Sequence, residues 1–264
     1  MIRVFPKQTK WTPTDELAFV GMPPLFRPPV QPVRISVVFT WDIPIAKKLH
    51  RAWSAYYPDV QMGGPAFGDP GGEFVPGRYI KDGVTITSRG CVRRCPWCFV
   101  PKREGRLREL EISPGWIVQD NNLLACSRKH IEAVFAMLQQ QRRAVTFSGG
   151  LDTRLLKDWH RKLFDTVKIH ELWFACDTES MIPQLTTTAG IMDGIPAYKR
   201  RCYTMVGFNG ETLPQAEARL EKVFELGFFP FCQLYQGAER KEYPKPWRDL
   251  QRKWSRPAAY NKAT

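Results

Sequence analysis

The sequence has no long hydrophobic run, and none of its apolar stretches approaches the ~20 residues that a membrane-spanning helix requires. The opening residues, MIRVFPKQTKWTPTDE, also lack the apolar core of a secretory signal. These two absences predict a cytoplasmic protein with no membrane partner. Because the cytoplasm keeps thiols reduced, disulfides are not expected among the seven cysteines.

Acidic side chains are scarce: 26 aspartates and glutamates stand against 39 lysines and arginines, for a net charge of +13. A charge of this size attracts polyanions, so a nucleic acid is one expected partner. A basic surface that only serves solubility, or a site for a small molecule with a phosphate or carboxylate, would explain the charge as well. Hydrophobic residues make up 43% of the chain, which is enough to bury a sizeable core.

Three segments outside the main domain differ in composition. Residues 1–34 are rich in proline, which opposes helix and central strand alike, and they predict an extended N-terminal arm. Residues 35–80 contain two short apolar runs on either side of an amphipathic stretch, which predicts a small α/β unit of βαβ type and a linker. Residues 241–264 are basic and aromatic, and they predict a helix followed by a loose tail. The helix of the βαβ unit is predicted from four apolar positions at helical spacing: Ile45, Leu49, Trp53 and Tyr56.

From Val84 onward, apolar runs typical of strands alternate with amphipathic stretches typical of helices. Ser127 and the segment Thr212–Gln215 have the composition of helix N-terminal caps, and Gly227 ends the last of these helices. Such alternation implies parallel βα units, and eight of them would close a full barrel. Six units within 81–240 therefore predict an α/β fold with a partial (β/α)6 TIM-like barrel, preceded by the small N-terminal βαβ-like extension. The six predicted strands are 84–90, 115–121, 144–150, 171–178, 200–208 and 228–236.

The cysteine-rich stretch RGCVRRCPWCF follows the first predicted barrel strand, at the strand end where such folds place their chemistry. Its cysteines, Cys91, Cys95 and Cys98, have the spacing C-x3-C-x2-C. Structural zinc usually takes two pairs of ligands, and the other cysteines stand singly in apolar segments, although one of them or His130 could complete a zinc site. An iron–sulfur cubane accounts better for three thiolates, because it leaves one iron free to bind a small chelating molecule. The other cysteines are Cys126, Cys176, Cys202 and Cys232.

The cysteine spacing, the aromatic Trp97 just before the third cysteine and the position after the first barrel strand resemble the radical S-adenosylmethionine (SAM) superfamily. The resemblance implies one 4Fe–4S cluster on Cys91, Cys95 and Cys98, with the amino and carboxylate groups of SAM on the free iron. It also implies that Trp97 lies near the adenine and that a flavodoxin- or ferredoxin-type protein supplies electrons. In this family, reductive cleavage of SAM yields a 5′-deoxyadenosyl radical, which abstracts hydrogen from the substrate.

The stretch FSGGLD is similar to the glycine–glycine–acid motif that binds the SAM amino group in this family. The similarity implies that role for Ser148, Gly149 and Gly150. Leu151 replaces the expected acid, and Asp152 either substitutes for it one residue late or only caps a helix.

The stretch MVGFNGETLPQAEARL resembles the V-G-F-x-G-E-T segment of tRNA methylthiotransferases. This implies that the backbone of Val206 and Gly207 faces the adenine and that Glu211 fixes the following turn. Asp177 follows the fourth barrel strand, where members of the family often contact the ribose; a buried structural aspartate is the other interpretation. The resemblance thus covers residues 84–237.

Two further groups of polar residues have open roles. Asp120, Asn121 and Asn122 end the second predicted barrel strand and are either substrate or SAM contacts or ordinary turn residues. The basic residues near the cysteines could bind an anionic substrate or an acidic reductase, tune the cluster potential, or form a solvated face. They are Arg89, Arg93, Arg94, Lys102, Arg103, Arg106 and Arg108.

Residues 35–80 are similar to a reduced form of the cobalamin-binding domain that precedes the barrel in one branch of the superfamily. The sequence has no D-x-H-x-x-G motif, which supplies the lower cobalt ligand there, so cobalamin is not expected. The charge and the methylthiotransferase-like segment favour a nucleic acid as the unidentified substrate, while a peptide or a small metabolite stays open. The alternative interpretation is a non-catalytic nucleic-acid-binding module with a structural zinc or iron–sulfur site.

Overall fold

The structure, a computed structural model, describes residues 1–69, 73–237 and 240–260. It is an α/β protein in which one parallel sheet has four strands, a second parallel sheet has six, and a separate two-stranded ribbon is antiparallel. None of the helices in these ranges combines the length and the hydrophobicity needed to cross a membrane.

The strands and helices of these ranges are numbered in chain order. The strands are β1 (Ile2–Phe5), β2 (Ala18–Val20), β3 (Val33–Ser36), β4 (Val60–Gly63), β5 (Val84–Thr85), β6 (Ser88–Arg89), β7 (Arg108–Glu109), β8 (Ile117–Val118), β9 (Val145–Leu151), β10 (Ile169–Ala175), β11 (Arg200–Val206) and β12 (Phe229–Leu234). The α-helices are α1 (Ile43–Ser54), α2 (Val100–Arg103), α3 (Arg128–Gln139), α4 (Asp158–Phe164), α5 (Ile182–Ile191), α6 (Leu213–Glu225), α7 (Lys245–Trp254) and α8 (Pro257–Tyr260).

The four-stranded sheet has the order β2-β1-β3-β4, and all its neighbouring strands are parallel. Ile2 and Val4 of β1 are fully buried in one cluster with Trp53 of α1. The segment 1–34, predicted to be an extended arm, thus contains two strands of this sheet, β1 and β2. Its prolines fall in the connections, and proline opposes strand only where it stands, so the short apolar runs between the prolines remain free to pair.

The segment β3–α1–β4 is a βαβ unit, as the sequence predicts. The buried face of α1 consists of Ala46, Leu49 and Trp53. Ile45 and Tyr56, which the sequence assigned to that face, are 37% and 51% exposed. Ala46, Leu49 and Trp53 stand at positions i, i+3 and i+7, which share one face of a helix. Ile45 precedes Ala46 by one residue and is rotated by about 100° from this face.

The six-stranded sheet has the order β5-β8-β9-β10-β11-β12, and every neighbouring pair is parallel. The strands therefore follow one another in space as they do in the sequence, which confirms the six predicted parallel strands. Neighbouring parallel strands need crossover connections, and α3 to α6 lie in four of them. The edges are β5 and β12, and no pairing among the described residues closes the sheet.

The first predicted barrel strand, 84–90, divides into two pieces. Val84 and Thr85 pair with β8 in the sheet, whereas Ser88 and Arg89 leave it and pair with β7 as an antiparallel ribbon. The ribbon begins just before the cysteine-rich stretch and ends just after it, so it positions both ends of that stretch.

Two helices begin at the predicted caps. Ser127 Oγ accepts a hydrogen bond from His130 N at 3.2 Å at the start of α3. Thr212 N donates to Gln215 Oε1 at 2.9 Å at the start of α6, and Gly227 follows that helix with φ +78.

The C-terminal segment packs on the body of the protein. Leu250 and Trp254 of α7 are buried in one cluster with residues of α6 and β12, so the helix predicted in 241–264 is present. Tyr260, in the described part of the predicted loose tail, packs against the same cluster. Residues 261–264 of that tail, 70–72 of the predicted small α/β unit and 238–239 of the predicted barrel lie outside the described residues.

Candidate functional site

The three clustered cysteines lie on residues 90–105, here called the cysteine loop, which the β6–β7 ribbon closes at its base. Cys91 N donates to the Gly105 carbonyl at 3.3 Å, and Gly90 N donates to Glu104 Oε2 at 3.1 Å. Gly90 has φ +79, and a side chain there would collide with a backbone carbonyl across the base, so this position requires glycine. The loop is therefore a closed structure with a fixed base.

The loop cysteines Cys91, Cys95 and Cys98 are half-buried, whereas the other four cysteines are buried. Burial raises the pKa of Cys176 and Cys232 to about 12, so these thiols stay protonated and act as small core residues, as predicted. Burial also raises the pKa of Cys98, and the nearby Cys95 and Cys91 raise it further. Neighbouring thiolates repel one another, and a cation bound among them would offset this repulsion.

N–H groups surround the sulfur atoms of the loop. Cys91 Sγ accepts from the backbone N of Arg93 at 3.3 Å and from Nδ2 of Asn122 at 3.6 Å. The guanidinium of Arg154 lies against Cys95. Donors in these positions stabilise negative charge on the sulfurs and are one means by which proteins set the potential of an iron–sulfur cluster.

Asp152 lies between two arginines. Its carboxylate accepts from Arg93 Nε at 3.0 Å and from Arg154 Nε at 2.7 Å. Burial alone would raise the pKa of Asp152, but the hydrogen bonds from Arg154 and Arg93 outweigh it and hold the pKa below its usual value. The helix-cap interpretation is wrong, because α4 begins at Asp158 and its N-cap is Lys157. Asp152 instead fastens the cysteine loop to the end of β9.

The predicted SAM contacts of β9 form an irregular segment, across which the register with β10 shifts. The Ser148 hydroxyl lies 3.4 Å from a carbonyl of the neighbouring strand β8. Gly149 packs so closely on the backbone of Asp120 that any side chain would collide with it. Gly150 has φ +100, and the place of its side chain is open space. Of the three, Gly150 is therefore the one that borders free volume.

Trp97 ties the cysteine loop to the sheet. Its Nε1 donates to Asp177 Oδ2 at 3.2 Å, and the other oxygen, Oδ1, accepts from Met205 N at 3.2 Å. The Trp97 ring also meets the ring of Phe208 edge-on at 5.6 Å. Burial raises the pKa of Asp177. Both oxygens of Asp177 are engaged inside the protein, as expected of a structural aspartate.

The turn after β11 is held by Glu211, as the sequence predicts. Gly207 N donates to Glu211 Oε2 at 2.8 Å, and the Val206 carbonyl accepts from Tyr235 N at 2.9 Å. Arg219, buried in α6, forms an ion pair with Glu211 and donates to carbonyls at the ends of β10 and β11. On the backbone expected to face the adenine, the Val206 carbonyl and the Gly207 N–H thus already have partners.

The three polar residues that follow β8 have different surroundings. Asp120 is buried beneath the cysteine loop. Asn121 hydrogen-bonds Glu104 at the base of the loop. Asn122 donates to Cys91 and to Asp152. The structure therefore brings Asn121 and Asn122 to the candidate site and places Asp120 below it.

A cavity of about 510 Å³ lies beside the cysteine loop, between the two parallel sheets. One wall comes from the carboxyl ends of β3 and β4, and another from Arg89, Glu104 and Asn121 at the base of the loop. Glu104 accepts from Arg89 and Asn121 as well as from Gly90 N. Arg89 Nε is buried and has no hydrogen-bond partner in the described ranges. A cavity of this volume is suited to a small molecule.

The sequence analysis missed three charged residues of this region: Glu104, Arg154 and Arg219. Glu104 could have been noticed as an acid within a basic stretch, and Arg154 because it follows Asp152 by two residues. Nothing local marks Arg219, because an arginine in an amphipathic helix looks like an ordinary surface residue.

Comparison of the chain with protein-family models finds no match, and comparison with curated proteins finds none. The candidate site is therefore judged by its own residues and geometry.

Proposed function

We propose that this protein is a radical SAM enzyme that binds one 4Fe–4S cluster through Cys91, Cys95 and Cys98. The observation that carries the proposal is the cysteine loop: three half-buried thiols, with N–H donors around them, on a closed loop that follows the carboxyl end of a parallel strand. Three thiolates leave one iron of a cubane open, and the amino and carboxylate groups of SAM fit that position.

The fold supports the same proposal. Six parallel strands in sequence order are what a partial (β/α)6 barrel would contain. The candidate SAM contacts stand at the carboxyl ends of β9, β10 and β11, and the cysteine loop follows β5. The four-stranded sheet then corresponds to the small N-terminal extension, enlarged by β1 and β2.

The residues around the loop can bind and orient SAM. Arg93 and Arg154 share the single carboxylate of Asp152, so one positive charge remains to attract the SAM carboxylate. Trp97, held by Asp177, is placed to pack on the adenine, and Gly150 leaves room for the ligand. Held by Cys91, Cys95 and Cys98, a 4Fe–4S cluster would supply the electron that reductive cleavage of SAM requires.

Electrons would come from an acidic flavodoxin- or ferredoxin-type protein. Arg94, Lys102 and Arg106 are exposed on the cysteine loop and just after it, and a cluster of exposed positive charge favours docking of an acidic partner.

The cavity beside the loop is the proposed substrate chamber. Its volume of about 510 Å³ accommodates a small molecule or one unit of a polymer. The net charge of +13 favours a nucleotide unit of a nucleic acid as the first class to test, before peptides and small metabolites. Cobalamin has no part in the proposal, because the sequence lacks the motif that supplies the cobalt ligand.

The net charge also supports the alternative, a non-catalytic nucleic-acid-binding module with a structural zinc or iron–sulfur site. Anaerobic reconstitution with iron and sulfide separates the two. The radical SAM proposal expects a brown protein that releases 5′-deoxyadenosine when given SAM and dithionite. A colourless protein that holds zinc on the cysteine loop and does not cleave SAM would overturn it.

A further inference from the structure

Beneath the cysteine loop lies a second group of metal-ligating side chains, which the function proposed above does not use. Asp120, Cys126 and His130 are buried, and one ligand atom of each lies within 4.8 Å of the other two. In the part of the chain that the structure describes, no other trio of acidic, cysteine or histidine side chains comes so close. Ligand atoms this close can share one ion, whereas the thiolates of a cubane bind different irons.

Hydrogen bonds orient the carboxylate of Asp120. Oδ1 accepts from Thr87 N at 2.6 Å, while Oδ2 accepts from Thr87 Oγ1 at 2.6 Å and from Ser88 Oγ at 2.7 Å. A carboxylate has about four lone-pair sites, so Oδ1 retains one for a cation. Donors that fix a carboxylate without saturating it are the usual surroundings of a metal-binding carboxylate.

The His130 ring has similar support. Nδ1 lies 3.7 Å from Glu109 Oε2, and Nε2 lies 3.3 Å from Thr87 Oγ1, which itself donates to Asp120. A carboxylate on one ring nitrogen fixes the tautomer that leaves the other nitrogen free to bind a metal. Nε2 contacts Thr87 Oγ1, whose own hydroxyl hydrogen goes to Asp120, so a metal ion bound at Nε2 would replace this contact.

The charges of the group balance around a divalent ion. The three side chains are buried, and an isolated carboxylate and thiolate there would be unfavourable in the absence of a cation. A divalent cation with one carboxylate, one thiolate and one neutral imidazole has no net charge, which suits a buried site. Mixed sulfur, nitrogen and oxygen ligands are those of zinc.

We propose that Asp120, Cys126 and His130 bind one zinc ion through three of its four positions, separate from the iron–sulfur cluster. The ion joins the end of β8 to the first turn of α3. Through Thr87 and Ser88 it also holds the β5–β6 connection from which the cysteine loop emerges. Zinc takes the place of the Cys126 proton, which passes to solvent as the metal binds.

A crossed metal analysis of the full chain, expressed with zinc and reconstituted with iron, tests this site. The unmodified chain is expected to hold close to one equivalent of zinc beside its iron. Cys126→Ser and His130→Asn lower the zinc content by ~10-fold or more and leave the iron in place. Cys95→Ser removes the iron and leaves the zinc.

Cobalt, used as a spectroscopic substitute for zinc, tests the same site. In a chain with Cys91, Cys95 and Cys98 all changed to alanine, bound Co²⁺ gives thiolate-to-cobalt charge-transfer absorption. Adding Cys126→Ser removes this absorption, and adding Cys232→Ala, a matched change at another buried cysteine, leaves it intact.

Two results would overturn the zinc site without deciding the iron–sulfur proposal, which its own experiment tests. One is an unmodified chain without zinc, whose triple-alanine form shows no cobalt–thiolate absorption. The other is zinc that leaves with Cys95→Ser and stays with Cys126→Ser, which assigns it to the cysteine loop. If Cys126→Ser fails to fold, the cobalt spectrum of the triple-alanine chain still tests the zinc site, because that chain keeps Asp120, Cys126 and His130.

Discussion

The three cysteines of the loop differ in exposure and in neighbours from the core cysteines outside the zinc trio, which are Cys176, Cys202 and Cys232. The loop cysteines are half-buried beside N–H donors and arginines, whereas the core cysteines are buried, with pKa values raised by desolvation. Burial and nearby donors thus separate a ligand from a packing residue within one chain. The predictions below test this separation, from the largest expected effect to the smallest.

The largest effect is expected from one substitution in each group. Cys95→Ser abolishes SAM cleavage and the brown colour of the reconstituted protein, because it removes a cluster ligand. Cys202→Ala keeps both and lowers the free energy of unfolding by about 1 kcal/mol, because it removes a buried sulfur atom. Visible absorption, 5′-deoxyadenosine release and urea denaturation measure these quantities. Loss of the colour in Cys202→Ala would break the comparison.

Thiol labelling compares all seven cysteines at once. In the iron-free chain, three thiols react faster than the other four by a factor on the order of 100, because the core thiols must await local unfolding. Burial raises the pKa of Cys98 and lowers its fraction of thiolate, so its labelling is expected to be slower than that of an unburied thiol. Mass spectrometry of timed samples identifies the labelled sites. Rapid labelling of Cys176 or Cys232 would show that the two groups are not distinct.

Asp152→Asn tests the ion pairs that fasten the cysteine loop. Because the pKa of Asp152 is lowered by folding, its stabilisation is present above the unfolded pKa of about 3.9 and disappears as the pH falls through the lower folded value. The variant is expected to lose about 1–2 kcal/mol of unfolding free energy at pH 7, and the difference shrinks below about pH 4.

Asp165→Asn is the matched control, since its pair with Arg161 is exposed and contributes less than about 0.5 kcal/mol. Urea denaturation of the iron-free chains at both pH values makes the measurement. An equal loss in the two variants, or a difference that does not change with pH, would contradict the assigned role of Asp152.

The smallest effect is expected from Trp97→Phe. This change removes the Nε1–H that donates to Asp177 but keeps an aromatic ring. The free energy of ordering the cysteine loop is therefore expected to become less favourable by about 1 kcal/mol. In the reconstituted protein, that cost appears as a roughly fivefold weaker Kd for SAM, measured by calorimetry. Trp41→Phe, in the N-terminal unit, is the control and leaves the Kd unchanged. Unaltered affinity in Trp97→Phe would remove Trp97 from the site.

The parts of the fold that the sequence predicted are those with strong local signals. The strands β9 to β12 are apolar runs of six or seven residues, and the caps at Ser127 and Thr212 are short-range contacts. The strands β1 and β2 have only four and three residues, too few for a pattern. The division of 84–90 follows from pairing with β7, a partner 20 residues away that no local signal announces.

The same limit applies to the candidate site. The cysteines were found because all three stand in one stretch of chain. The contacts of Asp152 with Arg93, and of Asn122 with Cys91, join residues 59 and 31 positions apart. Such pairs depend on which strands become neighbours, which composition and periodicity leave undetermined.

Glu104 connects the cavity to the cysteine loop through its hydrogen bonds. The same carboxylate accepts the Gly90 N–H at the base of the loop and meets Arg89 and Asn121 in the cavity wall. A molecule in the cavity that draws Arg89 or Asn121 away from Glu104 changes the hydrogen bonding next to Cys91. The cavity and the proposed SAM site are then thermodynamically coupled. The factor by which a molecule in the cavity changes the affinity for SAM equals the factor by which SAM changes the affinity for that molecule. A substrate could thus be recognised by the cofactor site before the two molecules meet.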